Sequence, residues 1–379
     1  MRVAVEGLGA TVGPADGAGR YLLGLLGALA RRDDVRVTAF VGPSMREAVS
    51  SLALDEVLVV PGGRSRRLVA QHFTVPRAAR ERGAGAVLYL GNYAPVRSGP
   101  PAVCVVANLL LAVDDPGLGV SRAEHGRIDR VRTQLFGRAR ATYRRFARSQ
   151  LDRRARVVVT ISQTLADALE HVVPRLRGRV RVVRPPFNVA EVLSAPARPP
   201  DDAPAEYFLA VGRPWGYREY PLALEALAVS ALPHTLVVVG EAPGEERAPL
   251  DRHARELGLD GRIRFAGLVS DPSRLRGWYE GAAALVATSR IEAFGYPVGE
   301  AMALGTPVVA VRRTAFPEIV GDAGLLVDPT PNALAAALED VVRPEERQRL
   351  AERGRARTRA YGWDECAAEL VAICREVAA

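Results

Sequence analysis

The 379-residue sequence contains no lysine: all 51 of its Lys+Arg residues are arginine. Every mechanism that needs a lysine amine is excluded, among them a Schiff base, the phosphate lysine of a Walker loop and the lysine of a kinase strand. A very GC-rich coding sequence is the plainest source of this bias, and the 35 Gly and 27 Pro agree with it. Cysteine is also scarce. Cys104, Cys366 and Cys374 form neither a disulfide framework nor a metal-ligand spacing, so a reducing compartment is expected. His72, His125, His171, His234 and His253 are scattered, and no Asp-x-Asp is present to hold a metal on a diphosphate. No metal and no cofactor are therefore expected. Aromatics are 6% of the chain and do not interleave with the basic residues, which argues against a nucleic-acid partner. The longest apolar run, 103–113, is interrupted by Asn108 and reaches about half of a membrane span. Glu6 interrupts the N-terminal run too early for a signal peptide. A cytoplasmic location is expected.

What the chain does contain is unevenly distributed. Its length sets a prior of about two domains. Residues 1–195 carry 30 Arg against 16 acids, a net +14, whereas residues 196–379 carry 21 Arg against 27 acids, a net −6. The basic half thus points to an anionic partner. Its densest part is 121–156, with 12 Arg and 3 acids. Within it, Ile128, Val131, Leu135, Ala139, Tyr143, Phe146 and Leu151 recur at helical spacing, predicting a helix over 121–154 with one apolar face. Such a helix reads either as a solvated face or as a peripheral contact with the anionic inner face of a membrane.

Short apolar runs alternate with helical patterns. Strands are predicted at 2–5, 35–41, 86–89, 102–106, 157–161 and 180–183, and again at 207–211, 235–239, 263–265, 284–286, 307–310 and 325–327. Helices lie between them, including 20–30, 64–82 and 162–172. Prolines cluster from Pro185 to Pro204 and break the series once. The pattern predicts an α/β chain of two doubly wound parallel units. Expected boundaries are 1–188, a Pro-rich connector at 189–205, a second unit at 206–360, and a C-terminal helix within 361–379.

The most specific segment runs Glu292-Ala293-Phe294-Gly295-Tyr296-Pro297-Val298-Gly299-Glu300, continuing to Gly305-Thr306-Pro307. Gly295 permits a close backbone approach, and Pro297 suits the first turn of a helix that ends near Gly305. Glu292 is then in the loop at the helix N-terminus, and Glu300 about one turn inside. Free amides at such a terminus favour a phosphate. Carboxylates accept hydrogen bonds from sugar hydroxyls.

This segment resembles the Glu-x7-Glu motif of the retaining glycosyltransferases of family 4, which have the GT-B fold. Val211-Gly212-Arg213 with Arg218 resembles the family's Gly-Arg-x4-Lys segment, Arg218 standing at the lysine position. Phe265-Ala266-Gly267-Leu268-Val269-Ser270-Asp271 is similar to the loop that meets the nucleobase. Pro317–Gly324, Gly17-Ala18-Gly19-Arg20-Tyr21 and Val159–Ser162 also resemble family segments. The resemblance implies two Rossmann-like domains facing across a cleft, with an N-terminal acceptor domain, a C-terminal nucleotide-sugar domain and a last helix crossing back to the first.

It further implies roles. Arg213 and Arg218 would neutralise the diphosphate of a nucleotide-sugar donor. Glu292, with the backbone of Ala293, Phe294 and Gly295, would hold the donor sugar, and Glu300 the ribose. Gly212 and Leu268 would line the donor site, and Gly17 and Gly19 would let the N-terminal loop approach the diphosphate. The family's His-Asp pair is replaced by Ala107-Asn108, leaving Asn108 as the remaining polar candidate. The implied activity is metal-independent transfer of a hexosyl or related group with retention of configuration. The acceptor would be a lipid-linked or cell-envelope glycoconjugate. Alternatives are transfer to a soluble antibiotic or aminocyclitol core, for which Asp16, Asp114 and Asp115 could supply carboxylates, and an inactive nucleotide-sugar-binding homologue.

Overall fold

The computed structural model describes residues 1–11, 17–112, 127–187, 190–214 and 216–379. Asp16, Asp114 and Asp115 and the first six residues of the predicted helix 121–154 lie outside them. Two compact units are present. The first comprises Met1–Asp114, Gly137–Pro186 and Tyr361–Ala379, and the second Asp115–Phe136 and Phe187–Ala360.

The first unit is built on seven parallel strands: β1 (Arg2–Gly7), β2 (Arg36–Val41), β3 (Glu56–Val59), β4 (Ala86–Tyr89), β5 (Ala102–Val106), β6 (Ala155–Thr160) and β7 (Val180–Val182). Their order is β3-β2-β1-β4-β5-β6-β7. β4 and β5 are buried throughout, as expected of central parallel strands with both faces covered. β3 is not among the predicted strands. It has four residues, sits at the sheet edge and is only partly buried, and its apolar run Val57-Leu58-Val59-Val60 is too short to tell a strand from a buried helix segment. The first helix, Gly17–Ala30, packs Leu22, Leu25, Leu26 and Leu29 on the sheet. The C-terminal helix Trp363–Ala378 joins the same core through Leu370, Val371 and both of its buried cysteines.

The second unit repeats the scheme with six parallel strands: β8 (Tyr207–Val211), β9 (Thr235–Val239), β10 (Ile263–Gly267), β11 (Ala284–Ala287), β12 (Val308–Val311) and β13 (Leu325–Val327). The order is β10-β9-β8-β11-β12-β13. The strand order reverses direction at β8, where β11 takes the other side. In such sheets ligands bind outside the carboxyl ends of the strands at this switch point.

Two predicted helices differ in detail. The segment 64–82 is helical as Arg64–Val69 and Val75–Glu81, with a π-helical stretch Ala70–Thr74 between them. Pro76 has no N–H for the α-ladder, and the ladder widens just before it, the Val75 N–H donating to the Ala70 carbonyl five residues back. The long basic helix runs Arg127–Arg154. Leu151 of its predicted apolar face is buried, as is the neighbouring Ala147, but Tyr143 and Phe146 are exposed. Among the described residues no helix is long and apolar enough to cross a membrane.

Candidate functional site

The site is assembled at the carboxyl ends of β8 and β11. β8 ends in Val211, and Gly212 follows at φ 127°, a conformation that favours glycine. A Cβ there would lie 2.5 Å from the Arg218 guanidinium carbon. Gly212 is thus the space into which Arg218 folds back. Arg218 ends the short 3-10 turn Gly216–Arg218. The Tyr220 hydroxyl donates to the Gly212 carbonyl at 3.0 Å and fixes the return of the chain. Burial pushes that hydroxyl up to about 12, against the pull of Arg218, so it stays a neutral donor.

From β11 the loop 288–295 leads into the helix Tyr296–Leu304. Gly295 caps its start at φ 85°, Pro297 sits in its first turn, and Gly305 ends it at φ 78°. A small pocket, open to solvent, lies against this helix; its lining includes Arg218, Tyr220, Ser289, Glu292 and Gly295. Arg218 Nη1 stands 3.8 Å from a Glu292 carboxylate oxygen, with both side chains 19% exposed. The Arg218 Nε is buried and has no hydrogen-bond partner. Buried donors are ordinarily satisfied; the Arg218 Nε lies against Gly212, while Nη1 presents the cation beside Glu292 in the pocket lining.

Three loops are laced together around it. Thr288 Oγ1 donates to the Arg218 carbonyl at 2.6 Å, and the Arg290 N–H to the Tyr217 carbonyl at 2.7 Å. The Glu292 N–H donates to Thr314 Oγ1 at 3.1 Å. The Glu219 carboxylate pairs with Arg313 and lies 3.8 Å from Arg290. Glu219 and Thr314 have φ of 49° and 46°. Non-glycine residues held there carry backbone strain of about 1–3 kcal/mol each, which persists where surrounding contacts over-determine it. Of these lacing residues, Arg218 and Glu292 belong to the sequence motifs, whereas Thr288, Glu219, Arg313 and Thr314 are not marked by them. Their signal is a tertiary one.

The other predicted residues are placed as follows. The Arg213 Nε donates to both Glu246 oxygens at 3.0 and 2.9 Å, and its Nη1 approaches Glu241 at 3.5 Å. Hydrogen bonding to Glu246 holds the guanidinium above its ordinary range. Arg213 is not part of the pocket lining. Glu300 is buried, accepts from the Tyr279 hydroxyl at 2.7 Å, and also lies outside that lining. Phe294 is buried and stacks on Phe187 with ring centres 4.9 Å apart, which anchors the loop that carries Ala293. Leu268 stands exposed after β10. Gly17, Gly19 and Asn108 belong to the first unit. Gly17 opens the first helix, Gly19 is buried within it, and the exposed Asn108 donates its N–H to Asn92 Oδ1 at 3.1 Å. Among the described residues no group of three or more His, Cys, Asp or Glu could hold a metal ion.

Residues 205–343, the stretch that contains this pocket, match the family model of glycosyl transferases group 1. The GDP-mannose-dependent alpha-(1-6)-phosphatidylinositol dimannoside mannosyltransferase of Mycobacterium tuberculosis is 36% identical over 152 residues, which cover 40% of this chain and 38% of that protein. The D-inositol 3-phosphate glycosyltransferase of Xylanimonas cellulosilytica is 37% identical over 159 residues, 38% of this chain and 37% of that one. The chain thus spans less than two fifths of the length of these curated relatives. In fold the likeness extends along the chain: a sucrose-phosphate synthase from Thermosynechococcus elongatus superposes with a TM-score of 0.69 at 20% identity, over 100% of this chain and 99% of that one. The fold is GT-B, with two Rossmann-like units.

Proposed function

With residues 205–343 belonging to the glycosyl transferases group 1, we propose that the protein moves a glycosyl group from a nucleotide diphosphate sugar to a hydroxyl of a glycolipid or inositol-type acceptor. The observation that carries this reading is the buried Arg218 guanidinium with its unpaired Nε, set beside Glu292 in a pocket at the strand ends. The activities for which the mannosyl- and inositol-phosphate-glycosyl-transferring relatives are named support the donor and acceptor classes, with mannose as the first sugar to try. The basic first half, net +14 over residues 1–195, suits an anionic acceptor.

In the proposed reaction the bond from the anomeric carbon to the diphosphate oxygen breaks and a bond to the acceptor oxygen forms on the same face. The acceptor's proton passes to the departing diphosphate, and configuration is retained without a glycosylated carboxylate. Arg218 stabilises the negative charge that develops on the leaving group. Glu292 accepts hydrogen bonds from donor hydroxyls and orients the sugar. No metal is required, because the guanidinium supplies the positive charge.

A thermal-shift panel of GDP, UDP, ADP and the matching sugar nucleotides tests the site. One diphosphate should raise the unfolding midpoint, and the rise should vanish in Arg218→Ala. Transfer from the matching donor should fall by roughly 10²–10³-fold in Arg218→Ala, with Glu292→Ala also impaired. Absence of any nucleotide shift, or full transfer by both variants, would refute the assignment.

A further inference from the structure

The first unit carries a surface that sugar transfer alone does not explain. Nine large apolar side chains stay exposed among the described residues, and five of them, Leu68, Val69, Phe73, Tyr143 and Phe146, come from just two segments. Single exposed apolar residues are ordinary, whereas a contiguous group marks an interaction site. The two segments meet at His72. Its ring lies edge-on to Phe146 with centres 6.2 Å apart, and it follows Leu68 by four residues. Tyr143 is one helical turn before Phe146, and Val69 stands four residues before Phe73, so each pair shares a face.

The charge around this group is of one sign. Segment 64–74 holds three arginines and no acid, and segment 141–148 likewise holds three and none. Arg66 and Arg145 are exposed, and neither has an ion-pair partner among the described residues. Aliphatic and aromatic side chains flanked by free arginines match the boundary between lipid headgroups and acyl chains. A nucleic acid would instead need stacking faces along a basic groove, and Leu68 and Val69 offer none.

From this juxtaposition we infer that the face formed by segment 64–74 and the C-terminal half of the helix Arg127–Arg154 seats the protein on an anionic bilayer. The apolar side chains enter the interface and the arginines meet lipid phosphates. The inference deepens the proposed acceptor class and rests on that reading only for its purpose, since a lipid-anchored acceptor is presented at such a surface.

The test is flotation of the full chain with vesicles of phosphatidylcholine alone or mixed with phosphatidylglycerol. The protein should float with the anionic vesicles, release at high salt, and ignore the neutral ones. The exposed pair Arg66→Gln/Arg145→Gln should weaken binding by roughly fivefold per arginine, and Phe73→Ser should weaken it further. Unfolding midpoints, with and without nucleotide, should match the wild type in these variants. Equal binding to both vesicle types, no binding to either, or unchanged binding by the variants would overturn the inference. So would release by soluble glycerol phosphate at the concentration of vesicle headgroups. Because the nucleotide shift is read in the same samples, failure of the donor site and failure of the membrane face are told apart.

Discussion

Glu6 and Glu300 are both nearly without exposure, yet their surroundings differ. Glu300 has the Tyr279 hydroxyl at 2.7 Å. Glu6, in β1, accepts on Oε1 from the Leu8 N–H at 2.9 Å and from Gln71 Nε2 at 3.2 Å, while its Oε2 has no partner. Burial pushes the Glu6 carboxyl above its ordinary 4.5, against the pull of Tyr93, Gln71, Leu8 and Arg67. A raised native value means that the folded protein binds the proton where the unfolded chain has released it. Stability contributed by this group is therefore full below 4.5 and is lost as pH rises through the raised value. Glu6→Gln keeps the Oε1 acceptor and removes the titration. The variant should gain stability relative to wild type as pH rises, measured by denaturant midpoints from about pH 4 upward. Parallel curves for the two proteins would rule out a titrating Glu6. Such a group is invisible in the sequence: Glu6 reads only as the charge that ends an apolar run, and its partners Gln71 and Tyr93 are supplied by distant segments. The same holds for Arg213. Its type and its place after a strand-end glycine are legible, but Glu246, 33 residues on, is a tertiary partner that no local pattern names.

At the scale of elements, the residue types that control local backbone were the most legible. Gly295, Pro297 and Gly305 delimit the helix Tyr296–Leu304 because a left-handed cap, a fixed φ and a second left-handed cap need those residues. Buried central strands were equally plain as continuous apolar runs. The edge strand β3 lies on a similar but short run, Val57-Leu58-Val59-Val60, which does not by itself distinguish strand from helix, and the π-helical stretch Ala70–Thr74 depends on how a helix accommodates Pro76. Inside the helix Tyr296–Leu304, Gly299 has a packing role: a Cβ there would lie 1.8 Å from a ring carbon of Phe187, which stacks on Phe294 of the pocket loop. Gly299→Ala must push that ring aside and disturb the stack. The expected cost is about 1–3 kcal/mol, read as a midpoint lower by several degrees, with weaker nucleotide protection because only Ala293 separates Phe294 from Glu292 in the same loop. An unchanged midpoint would show that Phe187 has room to move.

For the whole molecule, the charge asymmetry and the single proline-rich break announced two units, but the return of the last helix to the first unit rests on tertiary packing. Cys366, Ala367, Leu370, Val371, Ile373 and Cys374 all lie in the core that holds β1 and the first helix. Trp363 meets the Tyr21 ring edge-on with centres 5.4 Å apart, and Arg375 pairs with Asp34 at 2.6 Å. Burying the larger of these side chains contributes about 1.5–3 kcal/mol each, so the helix is worth on the order of the whole stability of a domain, about 5–15 kcal/mol. The second unit has its own sheet, and the pocket of Arg218 and Glu292 is lined entirely by it. Ending the chain at residue 360 should therefore unfold the first unit and leave the second folded. Calorimetry of the full chain with the stabilising nucleotide should show the ligand acting on the transition of the second unit. In the shortened chain that transition and its ligand shift should persist, while the other is lost or moved to low temperature. Loss of the nucleotide shift together with the helix would mean that the donor site needs residues of the first unit, and would move the binding determinants beyond the pocket at the ends of β8 and β11.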